Sequence, residues 1–286
     1  MAYAQPEALV STEWLASRLN DPNVRVLDGT YHLPTAKRDP RAEYLAQHIP
    51  GAGFFDVDGI ADHSTDLPHM IPAPPVFEAE MRKLGISKTT RVVVYDSYGW
   101  QSAARVWWSL RVFGHDDVAL LDGGLPKWLA EGRPVQAGPV APKPGDFAAK
   151  FRPELVRSKA QMVANVASKA EQVLDARAAG RFEGTAPEPR PGLRGGHIPG
   201  SRNLPMGDLI DPATKRLKSA EDLVKLYADA GIDVSKPVAT TCGSGVTACG
   251  LAFGLYLIGA EKVAIYDGSW SEWGLPDGPP VATGKA

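Results

Sequence analysis

The chain has 286 residues, 44% of them hydrophobic and 22% charged, with a formal net charge of −2. Such a length points to two domains, and a near-neutral chain without a basic block argues against nucleic acid as the main partner, since phosphate binding needs a concentrated positive surface. Two cysteines, Cys242 and Cys249, are too few for a disulfide framework. With no basic leader and no run of about 18 apolar residues, the expected setting is the cytoplasm and not a membrane.

In chain order, the first β-rich run is Val24–Asp28, followed by His48-Ile49-Pro50-Gly51. A buried strand over 92–95, a helical pattern from Ser102 to Phe113 and a strand over 119–121 come next, ending in Asp122-Gly123-Gly124 and Trp128. Residues 138–155 hold Pro139, Pro142, Pro144, Gly145 and Pro153, a density that suits a surface linker. The sequence then begins again. Gln172–Asp175, His197-Ile198-Pro199-Gly200, Val238–Thr241, a helical pattern from Val246 to Leu257, Val263–Tyr266, Asp267-Gly268-Ser269 and Trp273 keep the same order at an offset of about 147 residues. This predicts a duplicated α/β fold: domains at 1–137 and 156–286 joined by a linker at 138–155, each a parallel sheet flanked by helices. In such sheets the working loops lie beyond the carboxyl ends of the strands.

One such loop carries a nucleophile. Thr240-Thr241-Cys242-Gly243-Ser244-Gly245-Val246-Thr247-Ala248 joins an apolar strand to a helical segment. Backbone N–H groups of a short glycine-containing loop can turn inward into an anion-binding nest, and the helix behind it presents its positive end to the same point. Both favour thiolate over thiol. Gly243 and Gly245 leave room for an atom beyond the sulfur. Cys249, inside an apolar helix, reads as core.

The loop Cys242-Gly243-Ser244-Gly245-Val246-Thr247, together with Phe55-Asp56-Val57-Asp58, Arg105-Val106-Trp107-Trp108 and Asp267-Gly268-Ser269-Trp270, resembles the rhodanese superfamily over essentially the whole chain, and within it the 3-mercaptopyruvate sulfurtransferases. The resemblance implies two tandem rhodanese-like domains of which the first is inactive, and Asp96 indeed stands where the second half has Cys242. It also implies an enzyme that moves sulfur from 3-mercaptopyruvate to a thiol, such as a thioredoxin or a small thiol, or to cyanide, through a Cys242 persulfide and without a cofactor. Implied with it are Ser244 and Asp58 as a catalytic relay to Cys242, and Arg181, Arg190, His69, Gly243, Gly245, Val246 and Thr247 as substrate-binding residues. Two other readings stay open: a thiosulfate sulfurtransferase with relaxed donor choice, which the neutral Gly243 and Ser244 disfavour, and a protein sulfur-relay module. A cysteine phosphatase needs an arginine where Ala248 stands.

Other conspicuous residues read as scaffold. His48 and His197, Asp28 and Asp175, and Trp128 and Trp273 recur in both halves, including the half without a nucleophile. The cysteine and histidine spacing fits no structural zinc site.

Overall fold

The computed structural model describes residues 1–285. The first half folds as β1 (Leu9–Val10), α1 (Thr12–Ala16), β2 (Val24–Asp28), α2 (Pro40–Ala46), β3 (Gly53–Phe54), α3 (Pro74–Lys83), β4 (Arg91–Tyr95), α4 (Ala103–Val112), β5 (Val118–Leu121) and α5 (Gly124–Ala130). The second repeats this order: β6 (Val156–Arg157), α6 (Lys159–Ser168), β7 (Gln172–Asp175), α7 (Ala179–Glu183), β8 (Arg202–Asn203), α8 (Ala220–Asp229), β9 (Val238–Thr241), α9 (Ala248–Leu257), β10 (Val263–Tyr266) and α10 (Ser269–Trp273). Each half builds one five-stranded sheet, ordered β1-β5-β4-β2-β3 and β6-β10-β9-β7-β8, with every pairing parallel. Adding five to each strand of the first sheet gives the second, so the fold is duplicated strand for strand.

The central strands explain themselves. β4 reads Arg-Val-Val-Val-Tyr and β9 Val-Ala-Thr-Thr, and apart from half-buried Arg91 every residue of both is buried. Strands covered by helices on both faces lack the polar alternation of a one-sided sheet. β1, β3, β6 and β8 are two residues long and carry no readable period. The edges they form are visible only in the fold.

The helices after the central strands, α4 and α9, each bury nine of their ten residues. A helix apolar on all sides must be covered on all sides. Each packs on its own sheet and on the other helix, so the hydrophobic core runs from one half into the other. Trp107 of α4 meets Phe253 of α9 edge-on at 5.0 Å between ring centres. This contact brings the ends of β4 and β9 to a shared cleft.

Candidate active site

Cys242 follows β9 directly and is a free, buried thiol. Its loop is held from behind. The Trp270 N–H donates to the Cys242 carbonyl at 3.0 Å, and Ser271 donates to the Gly243 carbonyl from its N–H at 2.8 Å and its hydroxyl at 2.7 Å. The Gly245 carbonyl accepts from Arg105 Nη1 at 3.2 Å and from the Cys249 thiol at 3.1 Å. In a planar trans peptide the following N–H points opposite to the carbonyl, so the N–H groups of Gly243, Ser244 and Val246 face away from α10 and Arg105. Among the described residues, no N–H from Gly243 through Ala248 has a protein acceptor. Buried donors left unpaired are rare, and a row of them forms an anion nest.

Gly245 has φ +77°, and a Cβ there would lie 2.7 Å from the Asp267 carbonyl oxygen. Only glycine fits. Val246 and Thr247, expected within the helix, belong to the loop, and α9 starts at Ala248. Burial pushes the Cys249 thiol well above its ordinary value. It packs as core.

A cavity of about 570 Å³ opens onto this loop. The second half lines it with Arg181, Arg190, Cys242, Gly243, Ser244, Val246 and Thr247, and the first half with Tyr31, Thr35, Tyr98, Gln101 and Ser102, among others. Of the residues expected at the site, these seven share one wall. Arg181 lies over Gly243, whose Cβ position is 3.0 Å from Nη2. Its Nη2 also donates to Glu188 Oε2 at 2.5 Å. Glu188, which the sequence did not single out, pairs through its other oxygen with Arg177 at 2.7 Å, and Arg177 pairs with Asp175. Two guanidiniums therefore share two carboxylates. Arg190 is in no ion pair with a carboxylate among the described residues, and its Nη2 lies 3.3 Å from His69 Nε2.

Asp58 and His69 stand beside this wall and do not line the cavity. The resemblance implied an Asp58–Ser244 contact, which is not formed here. Asp58 Oδ1 instead lies 2.7 Å from His69 Nδ1, off the line of the ring N–H. Asp58 is on an exposed turn, whereas Ser244 is buried in the loop. The close approach of His69 holds the Asp58 carboxyl below its ordinary range, and burial holds the His69 imidazole below its own. His69 has φ +61°, uncommon outside glycine, and its carbonyl accepts from Arg105.

Arg105 carries no site role in the sequence reading. It projects from α4 of the first half, is almost fully buried, and meets Asp267 beyond β10 at 2.5 Å. Asp267 Oδ2 accepts the Ile71 N–H at 2.8 Å. One buried ion pair thus ties the Cys242 loop, the His69 segment and both halves together. A signal existed, since Arg105 and Asp267 lie in motifs on which the family resemblance rested, but spacing cannot show that they touch.

A two-domain α/β protein with a buried cysteine in a strand-to-helix loop of unpaired N–H groups defines a class. The rhodanese-like domain family matches residues 11–131 and 158–275, and the chain belongs to this family. It is 45% identical to "Thiosulfate/3-mercaptopyruvate sulfurtransferase 2" of Arabidopsis thaliana, over 96% of this chain and 86% of that one. It is 44% identical to the Homo sapiens "3-mercaptopyruvate sulfurtransferase", over 93% and 91%. Its fold superposes on the crystal structure of SseA from Escherichia coli, a rhodanese-fold 3-mercaptopyruvate sulfotransferase, with TM-score 0.84 and 37% identity, covering 93% of this chain and 99% of that one.

Proposed function

We propose that this sulfurtransferase takes the sulfur of 3-mercaptopyruvate onto Cys242 as a persulfide, releases pyruvate, and hands the sulfur to a thiol or cyanide. The observation that carries this reading is the nest: a buried free thiol followed by a loop of backbone N–H groups without partners among the described residues. The Cys242 thiolate attacks the donor's sulfur, and the carbon–sulfur pair leaves as the enolate of pyruvate. The proton first on the donor's thiol returns to that carbon, leaving Cys242–S–S⁻ within reach of the loop's N–H groups. Donors aimed at developing negative charge are the largest common source of rate enhancement. Arg190 and Arg181 suit the carboxylate and carbonyl of the keto acid. Ser244, two residues beyond Cys242, presents its hydroxyl on the cavity wall beside the thiol, and the Asp58–His69 pair orients Arg190 in place of a direct Asp58–Ser244 relay.

The same reading divides the chain. Residues 1–137 form the half without a nucleophile, 138–155 link it, and 156–286 form the catalytic half. No helix among the described residues is long and apolar enough to cross a membrane, and a free-thiol nucleophile suits the reducing cytoplasm. The test is mass spectrometry after 3-mercaptopyruvate treatment: one added sulfur on Cys242 and one pyruvate per site are expected. Sustained turnover with unmodified Cys242 would sink the assignment.

Thiosulfate as main donor is the second reading, favoured by the double name of the Arabidopsis relative. The carboxylates around Arg181 offset much of the wall's positive charge, which suits a monoanion better than a dianion. The ratio of kcat/KM for the two donors decides.

A further inference from the structure

The first-half wall of the cavity carries a chain of groups that the donor step does not use. Tyr98 lines the cavity, and its hydroxyl lies 2.6 Å from His32 Nδ1. His32 is buried, and its Nε2 lies 2.9 Å from Glu43 Oε2. Glu43 is half-exposed and is clamped by Arg38, whose Nε and Nη2 each donate to it at 2.7 Å. Arg38 Nη1 also reaches the Tyr98 hydroxyl at 3.4 Å. A carboxylate, an imidazole and a phenol therefore run in hydrogen-bond contact from solvent to the cavity.

The order of donors follows from the chemistry of each group. A carboxylate accepts, so the proton on His32 Nε2 is held toward Glu43, and Nδ1 is then the basic nitrogen that accepts the Tyr98 hydroxyl. Burial raises the phenol above its ordinary value, so it carries its proton when idle. Near the Cys242 loop, neither Glu188 nor His69 is free to act as a comparable base. Glu188 is bound to two arginines, and the His69 Nε2 lone pair faces Arg190.

Sulfur release needs a base when the acceptor is a thiol. We propose that Tyr98, backed by His32 and Glu43, deprotonates an alkyl thiol acceptor bound at the first-half wall, so that donor and acceptor are activated from opposite halves. As R–SH approaches the persulfide, its proton passes to Tyr98 Oη and the Tyr98 proton passes to His32 Nδ1. The freed thiolate pair forms the new bond to the outer sulfur. The Cys242–sulfur bond breaks, and its electrons return to Cys242 as thiolate. The imidazolium beside Glu43 holds one proton, balancing the one lost by the thiol, and releases it to the product persulfide or to water. This rests on the persulfide reading above.

The experiment separates the half-reactions. Wild type, Tyr98→Phe and His32→Gln are first loaded with sulfur from 3-mercaptopyruvate. They are then discharged with a series of thiols, from weakly acidic alkyl thiols to thiols already ionised at the assay pH. Both variants are expected to load Cys242 at the wild-type rate and to discharge to alkyl thiols roughly a hundredfold more slowly, with the deficit vanishing for ionised thiols. An equal deficit across the series, a loading defect, or unimpaired discharge of His32→Gln to alkyl thiols would each overturn the relay. If wild type itself takes up no sulfur on Cys242, the persulfide reading is at fault instead.

Discussion

The loops after the two central strands use the same backbone device and differ in what fills it. In the second half, the N–H groups from Gly243 through Ala248 have no protein partner among the described residues. In the equivalent loop of the first half, Asp96 stands in place of Cys242. Its carboxylate accepts the N–H groups of Tyr98 (2.9 Å), Gly99 (2.9 Å), Ser102 (2.6 Å) and Ala103 (2.8 Å). One nest holds an anion built into the chain, and the other faces a cavity. Asp96 is fully buried; burial pushes its carboxyl upward while those four bonds oppose it. The molecule thus contains its own demonstration that this loop geometry binds negative charge, and one side chain at the strand end separates a closed scaffold from an open site.

The sharpest way to break this comparison is to exchange the two side chains' roles. Cys242→Ser is expected to remove turnover by a factor on the order of a thousand or more, as loss of a covalent nucleophile does. Asp96→Cys on that background should restore nothing, because Arg181 and Arg190 serve the other loop. Sulfur loading followed by mass spectrometry reads both, and sulfur on residue 96 would show that the halves are functionally equivalent.

A second pair of equivalent residues, Asp175 and Asp28, predicts opposite signs. Asp175 is buried against Arg177 at 2.7 Å. Asp175→Asn leaves that guanidinium short of a partner and should cost about 3–5 kcal/mol, read by urea unfolding. Asp28 has Thr30 in place of the arginine, and burial raises its carboxyl to about 6. Between roughly pH 4 and 6 the folded protein therefore holds a proton that the unfolded chain has released, and stability falls as pH rises through this window. Asp28→Asn should stabilise the protein at pH 7 by up to about 3 kcal/mol and make no difference below roughly pH 4. A destabilised Asp28→Asn at neutral pH would show that the carboxylate has an unrecognised cation.

The smallest expected effect concerns the open nest alone, which must take its anion from solution. Arg190→Gln should lower kcat/KM for 3-mercaptopyruvate by about 2 kcal/mol, roughly thirtyfold, with the loss mainly in KM. An unchanged KM would remove Arg190 from the substrate wall.

Much of this was legible before folding. The duplication, the central strands and the place of Cys242 between strand and helix follow from local patterns, because a buried strand and an apolar helix are written in consecutive residues. The short edge strands were not legible, since two residues carry no period. The Asp58–Ser244 relay was expected from resemblance, whereas in the fold Asp58 lies against His69 and makes no hydrogen bond to Ser244, a choice of neighbour that no local pattern encodes.

By itself the sequence determined which half holds a thiol and which a carboxylate, for that is a choice of one side chain at one register position. Tertiary structure alone decided how the thiol's loop is held open. Arg105 comes from the opposite half, Glu188 from the segment between β7 and β8, and Ser271 from α10, far along the chain from Cys242. The Arg105 contact forms only when packing of α4 on α9 brings the two halves together, the Ser271 contact only when β10 pairs with β9, and no local pattern encodes either.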